Sequence, residues 1–311
     1  MENFFYTVTP ELKEHLERVK AIHSSITLLL LTPKDELKAQ WEASINRLTH
    51  CLIAEGISTN KSAVIRILKP TKTKKHTDEE KLIHGYKSGF DYAKREWYAS
   101  DKRFTEETLR TIVKSFKTPE LSISPDKLER ILNFVQIQSE HPIVQASLSH
   151  ALIEINQPFY EGNNHLATIL PYLFLYKYGY YFRSMLDIEE YRLEHKHTYD
   201  ECIKTMRKTN NLSGIIEFYT NAILSQAEKL EKQLSEKKIE SEQEDSFFHL
   251  TDRQKQILAY FDEPGLRLTN RKVQELFGVS QITASRDLAK LAELNLLFSS
   301  GKGRSVFYTK I

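Results

Sequence analysis

Residues 156–168 read NQPFYEGNNHLAT, a polar, glycine-bearing loop set between two apolar stretches. The stretch before it, 142–155, is apolar over a helix-length run, and the stretch after it, LATILPYLFLYKYGYYF (166–182), is apolar nearly all round. A helix of that kind belongs at the centre of a protein rather than on its surface. Pro171 falls inside it and is expected to kink it. The tetrad Glu161-Gly162-Asn163-Asn164 opens this helix. Backbone N–H groups there, at the positive end of the helix dipole, suffice to hold a phosphate or a sulfate.

Working outward, apolar residues recur every three or four positions before the loop: Leu12, Leu16, Val19 and Ile22, then Trp41, Ile45, Leu48 and Leu52. That spacing predicts two amphipathic helices, broken at TPKDE where Thr32 caps and Pro33 starts the second. Further helices are expected over 79–98, 104–116 and 126–139, with KPTKTKKHTDEE (69–80) a solvated loop. One or two more cover 187–224. The charged segment 225–246, marked by Leu230 and Leu234, reads as a helix fraying into a linker; a short coiled coil is the alternative, against which its apolar repeat does not last several heptads.

Composition bounds the rest. The chain has 311 residues, of which 40% are hydrophobic and 28% charged, with only 10 Gly and 9 Pro, a balance that favours a helical protein. A net charge of +2 demands no acidic partner for the chain as a whole. Two cysteines, Cys51 and Cys202, make neither a disulfide framework nor a zinc cluster. MENFFYTVTP lacks the pattern of a secretory signal, and ITLLLLT (26–32) is too short to span a bilayer. The expectation is a cytoplasmic protein with no membrane association. His141 and His150 read as packing or capping groups, and His195 and His197 lack further ligands nearby for a metal.

The last 66 residues read as a separate module. TDRQKQILAYF (251–261) is a capped helix, LRLT (266–269) a short strand, and 270–297 two helices joined by GVS. Gly278 supplies the turn and Ser280 the cap. LLFSSGKGRSVFYTK (296–310) then reads as two strands around a basic tip. Helix-turn-helix plus hairpin resembles the winged helix-turn-helix family. The resemblance implies double-stranded DNA as partner, with Ser280, Gln281, Thr283, Ser285, Arg286 and Lys290 on the recognition helix and Lys302 and Arg304 on the wing. The segment carries roughly four net positive charges, as a DNA footprint would. A palindromic operator would require a homodimer.

The region around the opening loop, HPIVQASLSHALIEINQPFYEGNNHLATILPYLFL (141–175), resembles the Fic (Fido) family, whose motif is His-Pro-Phe-x-(Asp/Glu)-Gly-Asn-Gly-Arg-x-x-Arg. The resemblance implies a helical fold, transfer of AMP or a related group from a nucleotide to a protein hydroxyl, and ATP with Mg²⁺ as candidate ligand. Pro158, Phe159, Glu161, Gly162 and Asn163 match the motif. Gln157 replaces the His that serves as general base, and a carboxamide has no useful basicity; losing such a base costs about 10²–10⁴ in rate. Asn164 stands for the second Gly, His165 for the first Arg, and Thr168 for the Arg that clamps the outer phosphates.

TPELSISPD (118–126) implies that the family's target-docking flap is deleted or very reduced. CLIAEG (51–56), with Cys51 for the family's Ser/Thr, reads either as a plain helix end or as an inhibitory-helix remnant that keeps Glu55 but has lost its Arg partner. The nucleotide or anion site is then Glu161, Gly162, Asn163, Asn164 and His165, with Glu161 as a weak metal ligand. The expected architecture is mostly α: an N-terminal helical region (1–60), a Fic-like helical domain (61–224), a charged helical linker (225–246) and a small α+β winged-helix domain (247–311). The expected function is a DNA-binding transcriptional regulator whose Fic-like part binds a nucleotide or anion or mediates assembly. The alternative is an active adenylyltransferase using an unusual base such as His165.

Overall fold

The computed structural model describes residues 4–68, 77–117, 123–135, 141–244, 250–261, 266–293, 296–301 and 306–310. Most of the expected loop at 69–80, much of TPELSISPD, and Lys302 and Arg304 lie outside the described residues.

Two helices start as capping chemistry dictates. α1 (Pro10–Leu28) begins after Thr9, whose hydroxyl accepts from the Leu12 N–H, and α2 (Pro33–Ala54) begins after Thr32, which accepts from Asp35. The buried face of α1 is Leu12, Leu16, Val19 and Ile22, the helical stripe read from sequence, continued by Ile26. α3 (Lys61–Leu68) is a helix the periodicity did not announce. α4 (Asp78–Trp97) opens with a reciprocal Thr77–Glu80 capping box; α5 (Glu106–Lys114) and α6 (Pro125–Val135) follow.

α7 (Pro142–Asn156) and α8 (Asn163–Lys177) form the central hairpin, with the opening loop as its turn. Both are apolar on almost every face, and α8 is enclosed by α7, α4 and α5. α8 runs on through Pro171 as one helix. After it a 3-10 turn at Phe182–Ser184 holds three non-glycine residues at positive φ. Arg183 there donates to the carbonyls of Ile26, Thr27 and Leu29 and pairs with Glu36 at 3.0 Å. It thereby satisfies the open C-terminal end of α1 and ties it to α2.

The segment 187–224 becomes α9 (Ile188–Glu194), α10 (Lys196–Thr209) and the first part of α11 (Ser213–Glu244). α11 is continuous for 32 residues, so the linker expected at 225–246 starts inside a helix. Ala227, Leu230 and Leu234 are buried in the main core, spaced three and four apart, and α11 lies along α1. The charges hid a packed face. That same core runs from Leu12 to Leu234 and takes in residues on both sides of the boundary expected at position 60.

A second hydrophobic cluster gathers the C-terminal elements: α12 (Asp252–Tyr260), β1 (Leu268–Thr269), α13 (Asn270–Phe277), α14 (Gln281–Glu293), β2 (Leu297–Ser300) and β3 (Phe307–Lys310). The antiparallel sheet has the order β1-β3-β2, with Ser299 opposite Tyr308. Gly278 ends α13 at φ 61°, the left-handed conformation that a tight inter-helix turn needs. No helix among the described residues is long and apolar enough to cross a membrane.

Candidate functional site

The loop between α7 and α8 is built by its own side chains. Gln157 closes α7 at φ 42°, ψ 68°, with its N–H on the Ile153 carbonyl at 2.8 Å and its side chain exposed. A residue with a Cβ held there stores strain of about 1–3 kcal/mol. The side chain of Asn163 folds back on the loop: its carbonyl accepts from the Phe159 N–H (3.1 Å) and its amide donates to the Phe159 carbonyl (2.7 Å). Gly162, at φ 85°, is the N-cap of α8. Phe159 is buried beneath, while Tyr160 and Glu161 are exposed. From the other side, Ser124 donates its N–H to the Pro158 carbonyl at 2.9 Å, and Ile123 forms a single antiparallel bridge with Phe159.

His165 occupies a closed aromatic box. It stacks on Phe116 (centroids 4.2 Å apart, planes 9° apart) and meets Tyr86 edge-on at 5.5 Å. Its Nε2 lies 3.4 Å from Glu55 Oε1, an oxygen that also accepts from the Tyr86 hydroxyl at 2.7 Å. Burial pushes the His165 pKa down, and Glu55 opposes this without reversing it. Nδ1 is buried and makes no hydrogen bond among the described residues. A neutral ring with its proton on Nε2 fits both surroundings.

Glu55 therefore does have partners. The sequence suggested a carboxylate with nothing to grip; the fold instead gives it Tyr86 and the side chain at position 165. In this arrangement one ring nitrogen of His165 is buried and the other faces Glu55.

These residues do not fit a magnesium–triphosphate cradle. Thr168 is 2% exposed and uncharged, Glu55 presents negative charge beside the start of α8, and Asn163 is engaged with the loop itself. Glu161 stands exposed, and no group of three or more His, Cys, Asp or Glu able to hold a metal is gathered among the described residues.

Beside the loop lies a cavity of about 730 Å³. Asn164 and Thr168 reach it from α8 and Glu55 from α2. Its cations come from further on: Arg192 on α9, and Lys196, Lys204, Arg207 and Lys208 on α10. Arg192 is held by the buried Glu189 at 2.6 Å, and Arg207 by Glu154 at 2.8 Å. Lys196 and Lys208 have no ion pair among the described residues. The loop thus contributes little charge, and α10 contributes most of it. Sequence reasoning missed this set, although Lys196, Lys204 and Lys208 stand at helical multiples of four.

In the C-terminal cluster the expected residues divide. Ser280 accepts from the Thr283 N–H at 3.3 Å and bonds its hydroxyl at 2.9 Å, so both serve the start of α14. Gln281, Ser285 and Arg286 are exposed together on one face. Lys290 approaches Glu293 at 3.3 Å. Asn270, unmarked in the sequence reading, donates to the Gln281 carbonyl (3.1 Å) and to Ser285 Oγ (2.7 Å), which fixes the first turn of α14 against α13.

No profile of a known protein family matches the sequence, and no curated protein matches it. Solved structures do. A Fic family protein from Desulfovibrio desulfuricans superimposes over 98% of this chain and 97% of its own, with TM-score 0.61 at 15% identity. Fic-1 from C. elegans covers 72% of this chain and 73% of its own chain (TM-score 0.58, 14% identity). A Fic domain containing signaling protein from Bacteroides thetaiotaomicron covers 71% and 96% (TM-score 0.55, 14% identity). With the α7–α8 hairpin, its intervening loop and Glu55 beside the start of α8, this chain has the Fic fold.

Proposed function

We propose that the protein is a sequence-specific duplex-DNA-binding regulator whose Fic-fold part has lost group transfer and takes an anionic effector in the cavity beside α8 and α10. The observation that carries the DNA reading is the exposed face of Gln281, Ser285 and Arg286 on a helix whose first turn is fixed by Asn270. Over 247–311, ten Lys and Arg stand against six Asp and Glu, the charge balance of a phosphate-contacting module. The loss of transfer is supported by Gln157 in place of a base and by His165 enclosed against Glu55. Lys196 and Lys208, without ion pairs among the described residues, support an anion there, although Glu55, Glu154 and Asp200 share the lining.

Selection from a random duplex pool tests the reading. An enriched sequence is expected, bound with an affinity that falls steeply as salt rises. An unenriched pool would remove the proposal. Incubation with labelled ATP and Mg²⁺ is expected to leave the chain and any added protein unlabelled.

A further inference from the structure

The face of α14 offered to DNA carries one side chain that polar recognition does not explain. Ile282 is 65% exposed in the first turn, next to Gln281. The other large apolar residues of this helix, Leu288 and Leu291, are buried with Ala284 on its opposite side in the C-terminal core. Ile282 therefore has no part in holding α14 in place. A β-branched residue also gains nothing from an exposed helical position.

Its neighbours limit what could cover it. Three and seven residues on, Ser285 and Ala289 are both small and both exposed, so the helix has a low central strip along which its backbone can approach a surface closely. Arg286, four residues on, puts exposed positive charge beside this strip, on a module in which Lys and Arg outnumber Asp and Glu by ten to six. A surface fitted to it is negatively charged at its borders and offers a small apolar group at one point. Duplex DNA is such a surface. In the major groove the base edges present hydrogen-bonding groups and one apolar group, the C5 methyl of thymine.

We propose that Ile282 packs on a thymine methyl and sets a thymine preference at one position of the DNA site. The assignment rests on the DNA-binding reading above. Ser285, held by Asn270, positions the turn, and Gln281 and Arg286 supply the polar contacts on either side.

The test uses the full chain and the sequence it enriches from a random duplex pool. Each thymine of that sequence is replaced in turn by deoxyuridine, which removes the methyl and leaves pairing unchanged. At one position the affinity is expected to fall about fourfold, the worth of one buried carbon group. Ile282→Ala, an exposed change, should bind the thymine site with the lowered affinity and make no distinction between thymine and uracil. Enrichment of a sequence with no methyl-sensitive position overturns this assignment and leaves DNA binding standing. The same follows if Ile282→Ala keeps the thymine preference, or abolishes only a concentration-dependent self-association. Failure of the pool to enrich removes DNA binding and the assignment with it.

Discussion

His150 and Pro171 meet at a single oxygen. His150 Nδ1 donates at 2.9 Å to the carbonyl of Ala167, the acceptor that residue 171 would fill if it carried an N–H. The Tyr199 hydroxyl donates in turn to His150 Nε2 at 2.9 Å, so the imidazole is neutral with its proton on Nδ1. Complete burial pushes its pKa down to about 3. Pro171 is thus accommodated inside α8 because a histidine on α7 replaces the missing donor. His150→Phe should cost about 1–3 kcal/mol through the unpaired carbonyl. In a Pro171→Ala background the helix supplies its own N–H, and the cost of His150→Phe should fall by about 1 kcal/mol. Urea unfolding of the four proteins gives the coupling. Additive losses would mean that the two residues do not share the acceptor.

Close approach of α4 to the site depends on Gly85. A Cβ built there would lie 2.4 Å from Phe116 Cδ1 and within 2.9 Å of two further ring atoms. Phe116 cannot retreat freely, because His165 stacks on its face. Gly85→Ala should therefore destabilise the fold by about 1–3 kcal/mol, as overpacking does. It should also loosen the His165 box. Burial holds the His165 pKa low, so partial hydration should move it up toward the ordinary histidine range. Proton NMR of the histidine ring resonances across pH reads this directly; an unchanged His165 titration in a destabilised variant would separate the two effects.

What the sequence revealed follows from what is local in it. The α7–α8 hairpin and its loop are one continuous run, and α14 with its turn is another, so spacing and turn residues expose both. α3 escaped because it is eight residues long and buries only Val64 fully. The helix beyond residue 224 was legible but its packing was not, because Leu230 and Leu234 sit among charges and their burial against α1 depends on a helix some two hundred residues away. The same limit applies to the site. Tyr86, Phe116, Glu55 and His165 come from α4, the end of α5, α2 and α8, and no spacing rule brings four separate elements together. Loss of charge at positions 165 and 168 was legible; its supply from α10 was not.

His50 gives the fold a pH dependence of the opposite sign to that of His150. His50 Nδ1 bonds Asp187 Oδ2 at 2.8 Å, and this hydrogen bond raises the His50 pKa above its ordinary 6.5 despite partial burial. A histidine raised in the folded state contributes stability that is fully present below the unfolded pKa and is lost as pH rises through the folded value. His50→Gln should therefore cost more stability at pH 6 than at pH 8.5, measured by urea unfolding. For His150 the depressed pKa makes stability fall as pH drops from 6.5 toward 3, by about 1.4 kcal/mol per unit. A His50→Gln penalty that does not change with pH would exclude a charged His50–Asp187 pair.

In the C-terminal module, one buried acid joins α12 to α14. Asp287 is 4% exposed and accepts from Arg253 Nε at 2.6 Å and from Gln254 Nε2 at 2.9 Å. Gln254 is itself buried and also closes the capping box with Thr251. Asp287→Ala leaves the Gln254 amide without its acceptor, which should cost about 1–3 kcal/mol. Asp287→Asn keeps an acceptor and should cost less. The hydrogen bonds of Asp287 run between α14 and α12, so the loss should be confined to the module. Amide hydrogen exchange resolves this: in Asp287→Ala, protection should fall in α12, α13 and α14 and hold in α7 and α8. Equal loss of protection in the central hairpin would show that the two clusters unfold as one unit, and that variants of the α14 face and of the cavity cannot be interpreted independently.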